Sequence, residues 1–517
     1  MKNRLSQIKF EQIFLVLILL AAIFLRFYNL RDSLMFQGDQ GRDALVVSQI
    51  FKDLDPVFIG PVTSIGNMYL GPFYYYFMLP FLMLSYPDPM GPVFAVAALG
   101  VITVWLLFKV TRQIFGIKTA YLATFFFTFS AAAVNLSRFS WNPNIAPFFS
   151  LLMFYFTYLA WQKNSKYWLA AAICFSLLIQ LHYVTLLSFS GPAIILLIQL
   201  VEKYKLTPKK FFINQKKLFG HLALSIIIFL VSLAPLVLFD FKHDFINARS
   251  FSTIVVKEDS FNLEKKARKA GFGTLQKYFT LDLKDRASQV LFEPSFGVHT
   301  ANHPLLFITV GLTLFYLLKT KVRLKKGEIV LLAYLVPGII GVSLYQHQIY
   351  EHYIAYLFPF IYLFYALFFS KIRSRWLLTI CLLPFVVFFI INNAGRYWLQ
   401  DNSWTIDDMR HTSEAIFERV KEGEKYNIVL LSESRDLYGM NYRYFLHTMR
   451  QAPVKMEDHL LAKKLFIINE EKVADDVVSL PIYEIIVFRG KYVSEIFQIE
   501  NGPEITVLTR YNEQSSL

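Results

Sequence analysis

The sequence predicts a polytopic α-helical membrane protein of about eleven transmembrane helices, with a small C-terminal α/β domain outside the bilayer. Three observations predict it. Of the 517 residues, 55% are hydrophobic, and 52 Phe and 29 Tyr suit lipid contact and interfacial belts more than a soluble core. The apolar residues fall in long runs. The Lys and Arg behind the net charge of +14 bunch in short loops between those runs, which points to membrane topology rather than to nucleic acid.

A bilayer core takes about 20 apolar residues per helix. Runs at 11–30, 91–108, 117–135, 144–161, 166–182, 184–201, 219–239, 303–318, 328–346, 353–370 and 375–393 qualify. No small-residue cleavage site follows the first run, which reads as a retained helix. The stretch 167–200 is too long for one span and divides at its most polar point, His182 and Tyr183. The segment 68–86, MYLGPFYYYFMLPFLMLSY, decides the parity of everything after it. If it lies along the outer interface, nearly every short basic loop falls on the side of the N-terminus. Those loops hold Lys109 and Arg112, Lys163 and Lys166, the lysines between 203 and 217, Lys325 and Lys326, and Lys371 and Arg373. If it crosses, they flip outward and the positive-inside rule fails repeatedly. The N-terminus is therefore read as cytoplasmic in a plasma-membrane protein. Residues 31–90 become the first external loop, with an amphipathic helix at 39–53. Residues 240–302 become a long external loop, and loops of that length tolerate basic residues.

Residues 1–395 thus form the membrane domain. From 396 to 517 the pattern changes to helices at 407–421 and 436–450 and strands at 426–431, 464–468, 483–488 and 505–509. This predicted extracytoplasmic domain has no GxGxxG, P-loop or Cys/His cluster. The only cysteines, Cys174 and Cys381, lie inside apolar runs, so neither a disulfide framework nor a cysteine metal site is implied.

With this topology the external face collects the ionisable residues. The first loop carries Asp39, Arg42 and Asp43 in FQGDQGRD. Later turns carry Arg138, Asn142 and Asn144, then His182 and Tyr183, then Glu351, His352 and Tyr353. Polar groups at membrane depth are costly and mark sites or pathways. A carboxylate near the interface can take a proton from an acceptor hydroxyl, and cations or donors can stabilise a leaving phosphate. Each feature also has a plain structural use: Arg138 as a helix-end anchor, His182 as a turn residue, Glu351 at a helix start. Asp39, Glu351 and His352 are the candidate ligands for a divalent ion, a cofactor the sequence does not require, since no HExxH-like spacing supports it.

Four stretches, FQGDQGRDALVVSQIF at 36–51, GPFYYYFMLPFLML at 71–84, SRFSWNPNIAPFFSLL at 137–152 and YEHYIAYLFPF at 350–360, carry a resemblance. Over about residues 10–400 the chain resembles the GT-C glycosyltransferases of the protein O-mannosyltransferase and aminoarabinose-transferase type, grouped as family 39 and its bacterial relatives. The resemblance implies a polyprenyl-phosphate-linked sugar donor, used on the external face, and a first-loop catalytic base that matches Asp39. That class often pairs two adjacent acids; here Gln40 follows Asp39, which puts a carried-over metal role in doubt.

The expected function is an inverting displacement. Asp39 takes the acceptor hydroxyl proton and the polyprenyl phosphate departs. Arg138, His352 and a lysine of the 265–269 stretch stabilise it, and Arg42, Asp43, Asn144, His182, Tyr183, Glu351 and Tyr353 line the substrate or donor-phosphate site. The acceptor could be a lipid, a protein or a polysaccharide, and the sugar mannose, a pentose or another hexose. Two alternatives are a transporter or flippase of lipid-linked saccharides, which should show repeats and broken helix pairs, and a polysaccharide ligase with a diphosphate-linked donor.

Overall fold

In lipid, an apolar run must satisfy its own backbone N–H and C=O groups, and a helix does so within one segment. The protein's structure, a computed structural model, describes residues 2–63, 68–206, 208–253, 283–297, 324–345, 348–402, 404–432, 436–470, 476–488 and 491–511. Among these, eight helices are long and apolar enough to cross a membrane: Phe10–Phe27, Met90–Phe115, Asn142–Gln162, Tyr183–Lys205, Lys216–Lys242, Lys326–Ser343, Glu351–Ser370 and Arg375–Ala394. They coincide with eight of the expected spans. The runs 117–135 and 166–182 contain the shorter apolar helices Ile117–Phe129 and Tyr167–Leu181. The run 303–318 and the lysines at 265–269 lie outside the described residues. Segment 68–86 yields a helix of only 13 residues, Phe73–Ser85, short of the ~20 that a crossing needs.

The chain divides into two units. The first comprises Met1–Tyr28, Val57–Tyr74 and Phe94–Trp398; the second comprises Asn29–Pro56, Tyr75–Val93 and Leu399–Leu517. In the first unit, the run 117–135 is not one helix. It breaks at Ser130, whose side chain accepts from the Ala133 N–H and caps a short helix, Ala131–Leu136. Asn393 holds the break together. Its Oδ1 accepts from the Ala131 N–H at 2.6 Å, and its Nδ2 donates to the carbonyls of Ser295 and Phe389 at 2.7 and 2.8 Å. Ser295 belongs to helix Leu283–Phe296, which buries Val290, Ser295 and Phe296. In sequence this stretch reads as part of the long loop, because its charged first turn masks its hydropathy. Replacing Asn393 by Leu strands two backbone groups, the Ala131 N–H and the Ser295 carbonyl, each worth about 1–3 kcal/mol when left unsatisfied. The detergent-solubilised variant should melt several degrees lower, measured by thermal unfolding.

The second unit contains a four-stranded sheet in the order β1-β2-β4-β3, with β1 Tyr426–Leu431, β2 Lys464–Asn469, β3 Lys491–Gln498 and β4 Glu504–Arg510. The first two strands pair in parallel and the other pairs are antiparallel. Val429, Leu431, Leu465, Ile467 and Leu508 fill the core beneath the sheet. The expected strand at 483–488 is instead a helical turn, Tyr483–Ile486. Ile485 and Phe488, three apart, are buried in that core while Tyr483 and Ile486 are 61% and 56% exposed; that is a helical period, not a strand's alternation. The predicted helices are shorter than expected, Ile406–Phe417 and Met440–Thr448. The first is capped by a box between Thr405 and Asp408.

Residues 29–56 and 75–93, first-loop sequence by hydropathy, belong to this unit, and ionic and aromatic contacts explain why. Arg31 grips Asp407 through two nitrogens at 2.8 and 2.6 Å and Asp88 through its third at 2.6 Å. Two-point guanidinium–carboxylate pairing fixes orientation as well as distance. Phe36 packs on the rings of Tyr444 and Phe445, with centroids 6.1 and 5.8 Å away. The Tyr444 hydroxyl donates to the Pro87 carbonyl at 2.9 Å.

Candidate active site

The predicted amphipathic helix of the first loop is Gly38–Lys52. Two glycines, three residues apart, place it. A Cβ on Gly38 would sit 1.8 Å from Asp436 Oδ2, and one on Gly41 would sit 2.4 Å from the Met440 carbonyl oxygen. Both glycines lie on one helix face, so that face can approach the backbone of the next helix. The rest of the inward face is Asp43, Ala44, Val47 and Ile50, all buried. This roll of the helix sets the fates of its charged residues. The Asp39 side chain is 48% exposed, Arg42 is 28% exposed and Asp43 is 0% exposed.

Arg42 joins the two acids. Its Nη1 donates to Asp39 Oδ1 at 2.7 Å, while Nε and Nη2 both donate to Asp43 Oδ1 at 2.9 and 2.8 Å. The hydroxyl of Tyr75 adjoins both Asp43 and Arg42. Gln40, where the resembled class often carries a second acid, turns inward and donates to the Met35 carbonyl at 2.8 Å. A further acid, Asp436, lies against Gly38 and accepts from the Met440 N–H at 3.1 Å. Burial raises its carboxyl above the usual range, the Met440 N–H opposes this, and the Asp39 charge adds to the rise. No sequence pattern singles out Asp436, because only the fold brings position 436 to position 38.

Burial pushes the Asp43 carboxyl up to about 6; the Arg42 guanidinium opposes that rise and the Asp39 charge adds to it. In the unfolded chain an aspartate titrates near 4. Between about pH 4 and 6 the folded state therefore holds the proton more tightly, so this contribution to stability is complete below that window and is lost as pH rises through it. Asp43→Asn removes the titration. The loss of thermal stability on going from about pH 4 to pH 7 should be smaller in the variant than in the parent.

The remaining candidates belong to the first unit. Arg138 is buried, and its Nη1 and Nη2 donate to the carbonyls of Leu25 and Tyr28 at 2.9 and 2.8 Å, closing the end of the first helix. Asn144 is buried and donates to the Phe139 carbonyl at 2.9 Å. The Tyr183 hydroxyl donates to the Tyr69 carbonyl at 2.5 Å. Glu351 pairs with Arg396 at 2.9 Å. His182, His352 and Tyr353 do come together: the His352 ring lies 5.8 Å from His182 and 4.4 Å from Tyr353. Trp141, singled out only as part of its turn, packs on His352 at 4.5 Å. Among the described residues no three side chains of metal-ligating type gather. Of the candidate ligands, Glu351 pairs with Arg396 and Asp39 with Arg42.

Residues 70–235 match the sequence model of the dolichyl-phosphate-mannose-protein mannosyltransferase family. No curated protein sequence matches the chain. Among solved structures, ArnT from Cupriavidus metallidurans in the apo state matches with TM-score 0.57 and 11% identity, over 97% of this chain and 98% of that one. The same protein bound to undecaprenyl phosphate gives TM-score 0.52 and 11% identity, over 96% and 97%. The Archaeoglobus fulgidus oligosaccharyltransferase tethered with an acceptor peptide gives 0.52 and 13%, over 96% and 74%.

The chain has the GT-C fold.

Its apolar helices and its fold are those of an integral membrane protein. The family match takes in Tyr75, Arg138, Asn144, His182 and Tyr183 and begins after the acidic loop. The case for Asp39 therefore stands on its own geometry: an exposed carboxylate, held at one oxygen by Arg42, on a helix fixed by two close glycine contacts.

Proposed function

We propose that this chain is an integral-membrane glycosyltransferase. It moves a sugar from a polyprenyl-phosphate donor to an acceptor hydroxyl on the extracytoplasmic face, with Asp39 as general base. The observation that carries the reading is the Asp39–Arg42–Asp43 arrangement, which leaves one carboxylate accessible and anchored. The ArnT structure bound to undecaprenyl phosphate supports the class of donor, as does the match to a family named for dolichyl-phosphate mannose. In the reaction the acceptor oxygen attacks the anomeric carbon and the bond from that carbon to the phosphate oxygen breaks. The hydroxyl proton passes to Asp39, the lipid phosphate keeps the bonding pair, and a single displacement inverts the anomeric centre.

His182, His352 and Tyr353 are the proposed donor-binding group. Arg138, Asn144, Tyr183 and Glu351, already engaged within the fold, shape it. No step is assigned to a metal ion. The charge bias of the short loops supports a cytoplasmic N-terminus and an extracytoplasmic C-terminal domain. The discriminating experiment supplies the purified protein in liposomes with radiolabelled polyprenyl-monophosphate sugars (mannose, other hexoses, pentoses) and a polyprenyl-diphosphate oligosaccharide. Covalent product from a monophosphate donor supports the reading. Product from the diphosphate donor alone makes the chain a ligase, and movement of label across the bilayer without product makes it a transporter.

A further inference from the structure

The helix that presents Asp39 also contains a carboxylate that no ligand can reach. Asp43 has a side-chain exposure of 0% and sits in the same inward row as Ala44, Val47 and Ile50. An apolar residue would complete that row, and a buried ion pair is at best a weak contributor to stability compared with apolar packing. Asp43 Oδ2 accepts no hydrogen bond of ordinary geometry among the described residues, although the Tyr75 hydroxyl adjoins the carboxylate. The protein thus keeps a charge in an expensive place, and its close ionic partner there is Arg42.

We infer that Asp43 is a positioning residue that fixes Arg42, and through it the rotamer of Asp39, with Tyr75 supporting Asp43 from the neighbouring helix. The inference rests on the reading of Asp39 as the base. The guanidinium is planar, with donors in a rigid fork. Nε and Nη2 are both spent on Asp43 Oδ1, so the plane of Arg42 is set from the buried side. The only nitrogen left, Nη1, then points where Asp39 Oδ1 receives it at 2.7 Å. Arg42 and Asp39 alone would be a half-exposed pair three residues apart on a helix, which side-chain entropy and solvent leave loosely defined. Tying the far edge of the guanidinium to a buried carboxylate removes that freedom. Tyr75 is 4% exposed on helix Phe73–Ser85, so it ties the arrangement to a second element. The charge of Asp43 is kept by this pairing despite the burial that favours its protonated form.

The test uses the full-length protein with a polyprenyl-monophosphate sugar donor and compares Asp43→Asn, Tyr75→Phe, Arg42→Gln, Asp43→Asn with Arg42→Gln, and Asp39→Asn. A misplacement of about 1 Å can cost about 100-fold in rate, so kcat for Asp43→Asn is expected to fall by about 10- to 100-fold, with the donor KM within about threefold of the parent. The double variant is expected to lose no more than Arg42→Gln alone, because both act through one guanidinium. Tyr75→Phe, which deletes one hydroxyl, is expected to lower kcat in the same direction by several-fold. A parent-like kcat for Asp43→Asn, losses that multiply in the double variant, or a loss confined to KM overturns the inference. If Asp43→Asn does not fold, Tyr75→Phe decides the matter, and an unchanged kcat there overturns the inference. Should Asp39→Asn transfer sugar normally, the base assignment falls and this inference falls with it. An inactive Asp39→Asn beside a fully active Asp43→Asn removes the positioning role alone.

Discussion

Asp39→Asn should reduce sugar transfer by at least about 100-fold, the lower end of what a positioned general base contributes. The substitution is nearly isosteric and keeps an oxygen where Arg42 Nη1 now donates at 2.7 Å. What it removes is the ability to take a proton. The Asp39 side chain is 48% exposed, and ion pairs at that exposure contribute little to stability, about 0–1 kcal/mol. Expression, thermal unfolding and binding of the lipid donor should therefore stay close to the parent while kcat collapses. Radiolabel transfer measured beside donor binding separates the two. Transfer at near-parent rates by this variant would remove Asp39 as the base.

The second large effect is structural. Gly41→Ala adds one methyl group to a helical position, which in an isolated helix would help by about 1 kcal/mol. Here the added carbon would lie 2.4 Å from the Met440 carbonyl oxygen and 2.6 Å from the Asn441 nitrogen. Those are backbone atoms and cannot rotate away. The helix Gly38–Lys52 must move back from Met440–Thr448, opening the packing that seats Asp39. Overpacking of this kind costs about 1–3 kcal/mol, so both thermal stability and transfer should fall. Gly220→Ala is the control. Gly220 lies in helix Lys216–Lys242 with nothing within 4 Å of its Cβ position, and that variant should be neutral or slightly more stable. Equal behaviour of the two variants would show that the close approach at Gly41 has no bearing on stability.

Much of the helical framework is legible in the sequence because long apolar runs and basic loops are one-dimensional signals. Eight spans can be read from hydropathy alone. The break at Ser130 cannot, since it depends on Asn393, which meets the Ala131 N–H from 262 positions away along the chain. Helix Leu283–Phe296 escapes for a related reason: it is short, its first turn is charged, and its burial comes from neighbours distant in sequence. Strand β3 has a nearly uniform exposed pattern, which carries no alternation to read. The turn at Tyr483–Ile486 reads as a strand because a short apolar run fits a strand or a buried helix equally well until its neighbours are known.

By itself, the sequence determined that the chain is built of apolar helices, that a small α/β domain follows them, and that an acidic loop with Asp39, Arg42 and Asp43 comes after the first helix. Each of these follows from composition, period or local spacing. Only the tertiary structure decided which of three neighbouring charges is available. Two glycines on one face let the helix approach Asp436 and the Met440 backbone, and that contact rolls Asp43 into the interior while leaving Asp39 in solvent. The physical reason is that burial depends on how the helix faces its neighbours, and the contacts that set that facing come from residues about 400 positions away along the chain.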